Sequence, residues 1–239
     1  MLEVIMEKDL PKDLKPLKLK EGTFNTEGRI YTNKNEFFKL YHVPKSFLYA
    51  IDFMKIKEAN IPYAHVPNYF IMNENNQISG EVQTLITNSH SLDAGIDLYK
   101  EKRDLQDRIP KMKQLALFTR GLDEKGYFHN DFHMDNILED ENRIYAIDLG
   151  RLQKRNNERE HRFRYNIILL SYLFGMTERT AIMLLNEYRS YLDEYFAFAP
   201  EFLKYLKQTG VKTNIYADEV LDSLLNHEEE VQKVHKLCN

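Results

Sequence analysis

Three side chains within one short stretch have the types and the spacing for phosphoryl chemistry. In "GYFHNDFHMDNILEDENRIYAIDLGR", residues 126–151, Asp131 and Asn136 lie five residues apart, and Asp148 follows twelve residues later behind the apolar run "IYAI". Transfer of a phosphoryl group to a hydroxyl needs a carboxylate that orients the hydroxyl or takes its proton, and hard oxygen donors that hold Mg²⁺ against the phosphates. Asp131 suits the first task; the Asn136 amide oxygen and the Asp148 carboxylate suit the second. The spacing Asp-x₄-Asn predicts one tight loop with base and metal ligand at its two ends, and the run Asn136-Ile137-Leu138 pins that loop to the core. Gly150 is expected to let the chain turn away directly after Asp148.

Other readings compete for the same residues. His129 and His133, four apart with Asp131 between them, have the composition of a zinc site. The glutamate of an H-E-x-x-H pattern is missing, and Phe132 and Ile137 suit a packed loop better, so phosphoryl transfer is the stronger reading. His133 on its own reads as a hydrogen-bonder within the loop. The acids Asp135, Glu139, Asp140 and Glu141 read as a solvated turn between two strands and not as ligands.

The pattern His129-x-Asp131-x₄-Asn136-Ile-Leu, followed by Ile147-Asp148-Leu149-Gly150, resembles the protein-kinase-like superfamily with its H-R-D-x₄-N and D-F-G motifs. With His133 the loop reads H-x-D-x-H-x-x-N, which is more similar to the branch of aminoglycoside and choline phosphotransferases, lipopolysaccharide kinases and small bacterial kinases. The resemblance implies an α+β, bilobal fold: a small antiparallel β-rich N-lobe with one helix, and a mainly helical C-lobe. It implies ATP and Mg²⁺ as cofactors. In the same way it implies Asp131 as catalytic base, His129 as a brace for the loop, Asn136 and Asp148 as Mg²⁺ ligands, and Leu138 beneath the adenine ring.

A chain of this kind must also bring a lysine on its third strand to the phosphates. Lys39 in "EFFKLYH" fits, sharing a face with Phe37 and Tyr41 by two-residue alternation, with a helix to follow. The acidic partner of that lysine is expected on the helix, where Asp52 lies about two turns inside and is better placed than Glu58 near the end. The glycine-rich loop is partial: "KEGTFNTEGRIYT" holds Gly22 and Gly28, with Gly28 supporting the turn between the first two strands and the backbone of 25–28 covering phosphates. The hinge falls at 84–87, where backbone groups around Leu85 would meet the adenine edge.

The elements that must position these residues follow from pattern. Strands are expected at 17–24, 29–33 and 36–42. Next come a helix opened by Pro44 with Phe47, Leu48, Ile51 and Met54 on one face, and strands in "PNYFIMN" and "SGEVQTLI". Beyond residue 91 the chain reads as mostly helical: "QDRIPKMKQLALFTRGLDEKG" from Pro110 to near Gly121, then 166–175, 178–195, 199–208 and 216–236. Thr177 and Asn214 are candidate N-caps and Gly210 a stop. The composition shift near 86–92 separates residues 1–86, β-rich and nucleotide-binding, from 87–239, which carry the catalytic loop and the helical substrate side.

Bulk properties exclude other classes. The 239 residues, 43% hydrophobic, suffice for one large domain or two lobes. A net charge of −4 gives no field to draw the chain to nucleic acid or anionic membrane. The one cysteine, Cys238, excludes an internal disulfide and fits a reducing, cytoplasmic setting. The N-terminal residues lack the apolar core of a signal peptide. The longest apolar run, "YNIILLSYLFGM", is well short of the roughly 20 residues that span a bilayer and reads as a buried helix.

The expected partners are ATP and a hydroxyl-bearing protein or small molecule. Only 17 residues separate Asp148 from the helix expected at Asn166, no A-P-E motif closes that segment, and about 90 residues follow Asp148. The basic stretch "RLQKRNNEREHRFRY" there reads either as a binder of acidic groups or as a solvated helix entry. So lean a helical part favours a minimal Ser/Thr protein kinase, ahead of a small-molecule kinase of the aminoglycoside or choline type and a nucleotide-binding pseudokinase.

Overall fold

Aromatic and β-branched residues of the first third pair into a six-stranded sheet. Its strands are β1 (Val4–Met6), β2 (Lys15–Pro16), β3 (Gly28–Asn33), β4 (Glu36–Lys45), β5 (Tyr69–Met72) and β6 (Ile78–Thr84). The order across the sheet is β1-β5-β6-β4-β3-β2, antiparallel throughout except that β1 runs parallel to β5. The computed structural model describes residues 3–17, 27–92, 105–154, 158–174, 177–187 and 200–209, with single helical positions at 226 and 229. They fall into two compact units, residues 1–60 with 65–88, and residues 61–64 with 89–239. The strand expected at 17–24 lies almost wholly outside the described residues, as does Gly22. Strands β1 and β2 are too short to show alternation, which is why pattern reading passes over them.

In the first unit, one sheet face buries Phe38, Ile71 and Val82, with Leu10, Tyr31 and Leu40 packed against them. The other face meets α1 (Phe47–Ala59), whose Tyr49 ring contacts Tyr41 and Phe70 and whose Phe53 ring contacts Phe70. The buried residues of α1 are Ala50, Phe53 and Ile56, whereas Phe47 is 44% and Leu48 68% exposed. The packed face is therefore not the expected one of Phe47, Leu48, Ile51 and Met54. Apolar residues run around this whole helix, so periodicity cannot select a side. Pro44 belongs to the end of β4, and Asn60, left-handed at φ 51°, closes the helix.

The second unit contains the helices α2 (Leu105–Glu124), α3 (Glu158–Phe174), α4 (Glu178–Glu187) and α5 (Pro200–Thr209). It also holds the short strands β7 (His90–Ser91), β8 (Tyr127–His129), β9 (Ile137–Glu139), β10 (Ile144–Ala146) and β11 (Leu152–Lys154). These pair as β10-β9-β7 and β11-β8. Helix α2 contains Pro110 and runs past Gly121, the expected stop. A Cβ at Gly121 would come within 2.8 Å of Pro62 Cδ, so that glycine serves close packing. The left-handed exit is made by Gly126 at φ 65°.

Helix α3 starts at Glu158, eight residues before the expected position, and buries Tyr165, Ile168 and Leu170. The run read as a buried helix is one, and most of the basic stretch belongs to β11 and α3. Thr177 caps α4, its Oγ1 accepting the Thr180 N–H at 3.3 Å. Asn214, Gly210 and most of the helix expected at 216–236 lie outside the described residues, as do 188–195 of the one expected from 178. No helix among the described residues is long and apolar enough to cross a membrane.

Candidate active site

The loop that carries Asp131 is anchored at both ends. Phe132 is 2% exposed and packs on the rings of Phe118 and His129, and Ile137 is fully buried at the start of β9. Between them Met134–Asn136 forms a 3-10 turn. His129 is buried, and its Nδ1 accepts the backbone N–H of Asp131 at 3.2 Å, which assigns the proton of a neutral ring to Nε2. Asn136 Nδ2 donates to the Asp131 carbonyl at 2.9 Å. An amide oxygen at that place would face another oxygen, so the bond fixes the amide and leaves Oδ1 as its acceptor atom. His133 lies between these groups, its Nε2 3.1 Å from Asn136 Nδ2 and 3.4 Å from Asp131 Oδ1.

A second bond joins the loop to the strand behind it. The Ile147 N–H donates to the Asn136 carbonyl at 2.9 Å, which brings Asp148, the next residue, to the end of the loop. Asp148 has φ 54° and ψ 43° and precedes the 3-10 turn Leu149–Arg151. The left-handed turn thus falls on Asp148 itself, and Gly150, expected to make it, sits within the 3-10 turn. For a residue with a Cβ this region costs about 1–2 kcal/mol, and aspartate is among the side chains that tolerate it. Leu138, half-buried, is the middle residue of β9, opposite Tyr145 and Ser91.

The acids after Leu138 are not a uniform solvated turn. Glu139 is fully buried, and its carboxylate meets Lys111 at 2.8 Å, the Tyr172 hydroxyl at 2.8 Å and His90 at 3.0 Å. Alternation along β9 turns residue 139 inward with Ile137, which overrides the polarity of its neighbours. Asp140 accepts the N–H groups of Asn142 and Arg143, each at 2.8 Å, and the Tyr145 hydroxyl at 2.7 Å. Burial opposes its ionisation, but these three bonds, with Lys111 nearby, hold its carboxyl below the ordinary aspartate value.

In the first unit Lys39 is 7% exposed on β4, on the sheet face covered by α1 and directly opposite Glu81 of β6. Its Nζ lies 3.1 Å from Glu27 Oε2. Glu81 accepts the Tyr41 hydroxyl at 2.6 Å and the Gln83 amide at 3.1 Å. Burial, then the neighbouring Glu81 charge, pushes the Tyr41 hydroxyl far above its ordinary pKa.

Two expectations for this unit are corrected. Asp52 does not pair with Lys39: next to Phe53 on the helix, it is turned to solvent and pairs with Lys55 at 2.8 Å. Gly28 lies in β3 opposite Tyr41 and not in a turn; a Cβ there would collide with the Leu40 carbonyl, so the glycine permits close strand approach. At the expected hinge, the Leu85 N–H donates to the Asn35 carbonyl at 2.7 Å.

Beside the loop lies a pocket of about 140 Å³, lined in part by Phe132, His133, Met134, Asp135 and Arg164. Among the described residues no group of three or more His, Cys, Asp or Glu could hold a metal ion.

No family model and no curated protein matches the chain. Solved structures do match it. The apo GRMZM2G135359 pseudokinase shares the fold with a TM-score of 0.58 over 100% of this chain and 93% of that one, at 11% sequence identity. Matching solved chains number 1551, so the architecture is widely used and the likeness leaves the substrate open. What it shows is a protein-kinase-like, mixed α+β fold.

Proposed function

We propose that this chain, protein-kinase-like in fold, is an ATP-dependent phosphotransferase that moves the γ-phosphoryl group to a hydroxyl and uses Mg²⁺. The observation that carries the reading is the bond from the Ile147 N–H to the Asn136 carbonyl. It joins the segments bearing Asn136 and Asp148, while the Asn136 side chain is itself bonded to the backbone of Asp131. The donor set fits Mg²⁺: both side chains offer hard oxygens, and two protein ligands leave positions for phosphate oxygens and water. Bound Mg²⁺–ATP supplies the transferable group and the charge that neutralises the phosphates.

In this reading Asp131 orients the acceptor hydroxyl and takes its proton. His129 holds the Asp131 backbone through Nδ1. Asn136 and Asp148 hold the metal, Lys39 binds the phosphates, and Leu138 underlies the adenine.

For the acceptor, a Ser/Thr side chain of a protein is the first reading. One observation favours a small hydroxyl compound as a second. Residues 149–157 are all that separates Asp148 from α3, and the 3-10 turn and β11 take up 149–154 of them. So short a segment offers a peptide little to lie along. Inactivity is a statement about the pseudokinase neighbour; here Lys39, Asp131, Asn136 and Asp148 are all present.

The test is transfer from γ-labelled ATP to a protein lysate and, separately, to a metabolite extract, by the unaltered chain and by Asp131→Ala. Label in protein supports the first reading and label in small molecules the second. Nucleotide binding with no Asp131-dependent transfer to either would make the chain a pseudokinase and end the phosphotransferase proposal.

A further inference from the structure

Lys39 needs a counter-charge that α1 does not provide. Its side chain is 9% exposed, and an ammonium at that depth is costly unless paired. Helix α1 carries two acids, Asp52 and Glu58, and both are exposed, while its packed residues are Ala50, Phe53 and Ile56. Directly across the sheet stands Glu81, whose carboxylate also accepts the Tyr41 hydroxyl and the Gln83 amide.

Glu27 is placed differently. Its Oε2 lies 3.1 Å from Lys39 Nζ, and its side chain is 26% exposed. Its backbone is fixed: the His42 N–H donates to the Glu27 carbonyl at 2.9 Å, and Gly28 beside it packs flush on the Leu40 carbonyl. The carboxylate is therefore delivered by the residue just before β3 and not by a helix.

We infer that Glu27 is the positioning residue for Lys39, supplying from the loop side of the sheet the carboxylate that holds the phosphate-binding ammonium. The contact with Glu27 holds Nζ from one side through a carboxylate oxygen at 3.1 Å. The inference rests on the phosphotransferase reading and adds a residue to it. A consequence is that the placement of Lys39 depends on the β3 entry and is insensitive to shifts of α1.

The experiment measures binding of Mg²⁺ with β,γ-imido-ATP to the full chain, together with melting temperature. The variants are Glu27→Gln, Glu27→Asp, Lys39→Met, Asp52→Asn and the double variant Glu27→Gln/Lys39→Met. Glu27→Gln and Lys39→Met should each weaken nucleotide binding by about tenfold or more. The double variant should be no weaker than Lys39→Met alone, Glu27→Asp should recover part of the loss, and Asp52→Asn should bind as the unaltered chain does.

Unchanged binding by Glu27→Gln overturns the inference, as do additive losses in the double variant. Tighter binding overturns it too, and would make Glu27 a group that blocks Lys39. If Lys39→Met binds nucleotide normally, the phosphate role of Lys39 fails and the inference with it, a result distinct from the failure of Glu27 alone. Should Lys39→Met not fold, Lys39→Gln closes the same cycle.

Discussion

Lys111 Nζ and Glu139 Oε2 meet at 2.8 Å with side-chain exposures of 9% and 0%. The same carboxylate accepts the Tyr172 hydroxyl and meets His90, so one buried acid joins α2, α3 and β7 to β9. That strand begins immediately after Asn136, so the junction also fixes one end of the loop that bears Asp131. Removing one partner of a buried pair costs about 3–5 kcal/mol, because the remaining charge is left without its counter-ion. Lys111→Met should lose stability of that order in denaturant unfolding. The double variant Lys111→Met/Glu139→Gln should recover much of it, since no charge is then buried. A double variant as unstable as the single one would show that the carboxylate matters as a hydrogen-bond hub and not as half of an ion pair.

Asp131 is the proposed base, and its variants separate chemistry from binding. Asp131→Ala should lower transfer by about 10²- to 10⁴-fold, the usual range for a general base, while nucleotide affinity stays within a few-fold. The His129 contact is to the backbone N–H of residue 131 and survives the substitution, so the loop should keep its shape. Steady-state rates with titration of Mg²⁺ and nucleotide check both halves. Full transfer by Asp131→Ala would remove this residue from the mechanism.

Asp148 offers a sharper test because of its left-handed backbone. Asparagine tolerates that region about as well as aspartate, so Asp148→Asn removes a charge without adding strain. The variant should melt near the unaltered chain yet require much more Mg²⁺ for half-maximal nucleotide binding. Asp148→Ala should lose the same metal dependence and in addition about 1 kcal/mol of stability from strain. Equal Mg²⁺ dependence in Asp148→Asn and the unaltered chain would argue against a metal ligand here.

How far the sequence reveals this molecule depends on the range of the interaction concerned. Strands β3 to β6 and the β9–β10 hairpin are legible because local alternation and turns specify them. The two- and three-residue strands β1, β2 and β7 have no periodicity to read; pairing partners distant in sequence define them. Asp131, Asn136 and Asp148 stand out because a single loop and a single strand end carry them. The partner of Lys39 is hidden for the opposite reason: the helix rotates Asp52 outward, and Glu27 reaches the lysine only through the register of β3 on β4. Glu81 and Gln83 are buried on β6 although both are polar, and nothing in the local sequence announces it. Glu139 left no trace beyond its place on the inward face of β9, since its partners come from three distant segments.

Acid should unfold the chain partly through Asp140. Its bonds to Tyr145 and to the N–H groups of Asn142 and Arg143 outweigh the effect of burial and hold its folded pKa below the ordinary value of 3.8. With the folded value the lower one, the unfolded chain binds the proton more readily. The stabilisation is therefore complete above the ordinary value and is lost as pH falls through the folded one. Asp140→Asn should be less stable than the unaltered chain at neutral pH and should show a shallower decline on acidification, the two curves converging at low pH. Thermal unfolding followed from pH 7 downward reads this directly. Parallel curves across the acid range would mean that Asp140 contributes its hydrogen bonds equally in either protonation state, and that the acid limb belongs to other carboxylates.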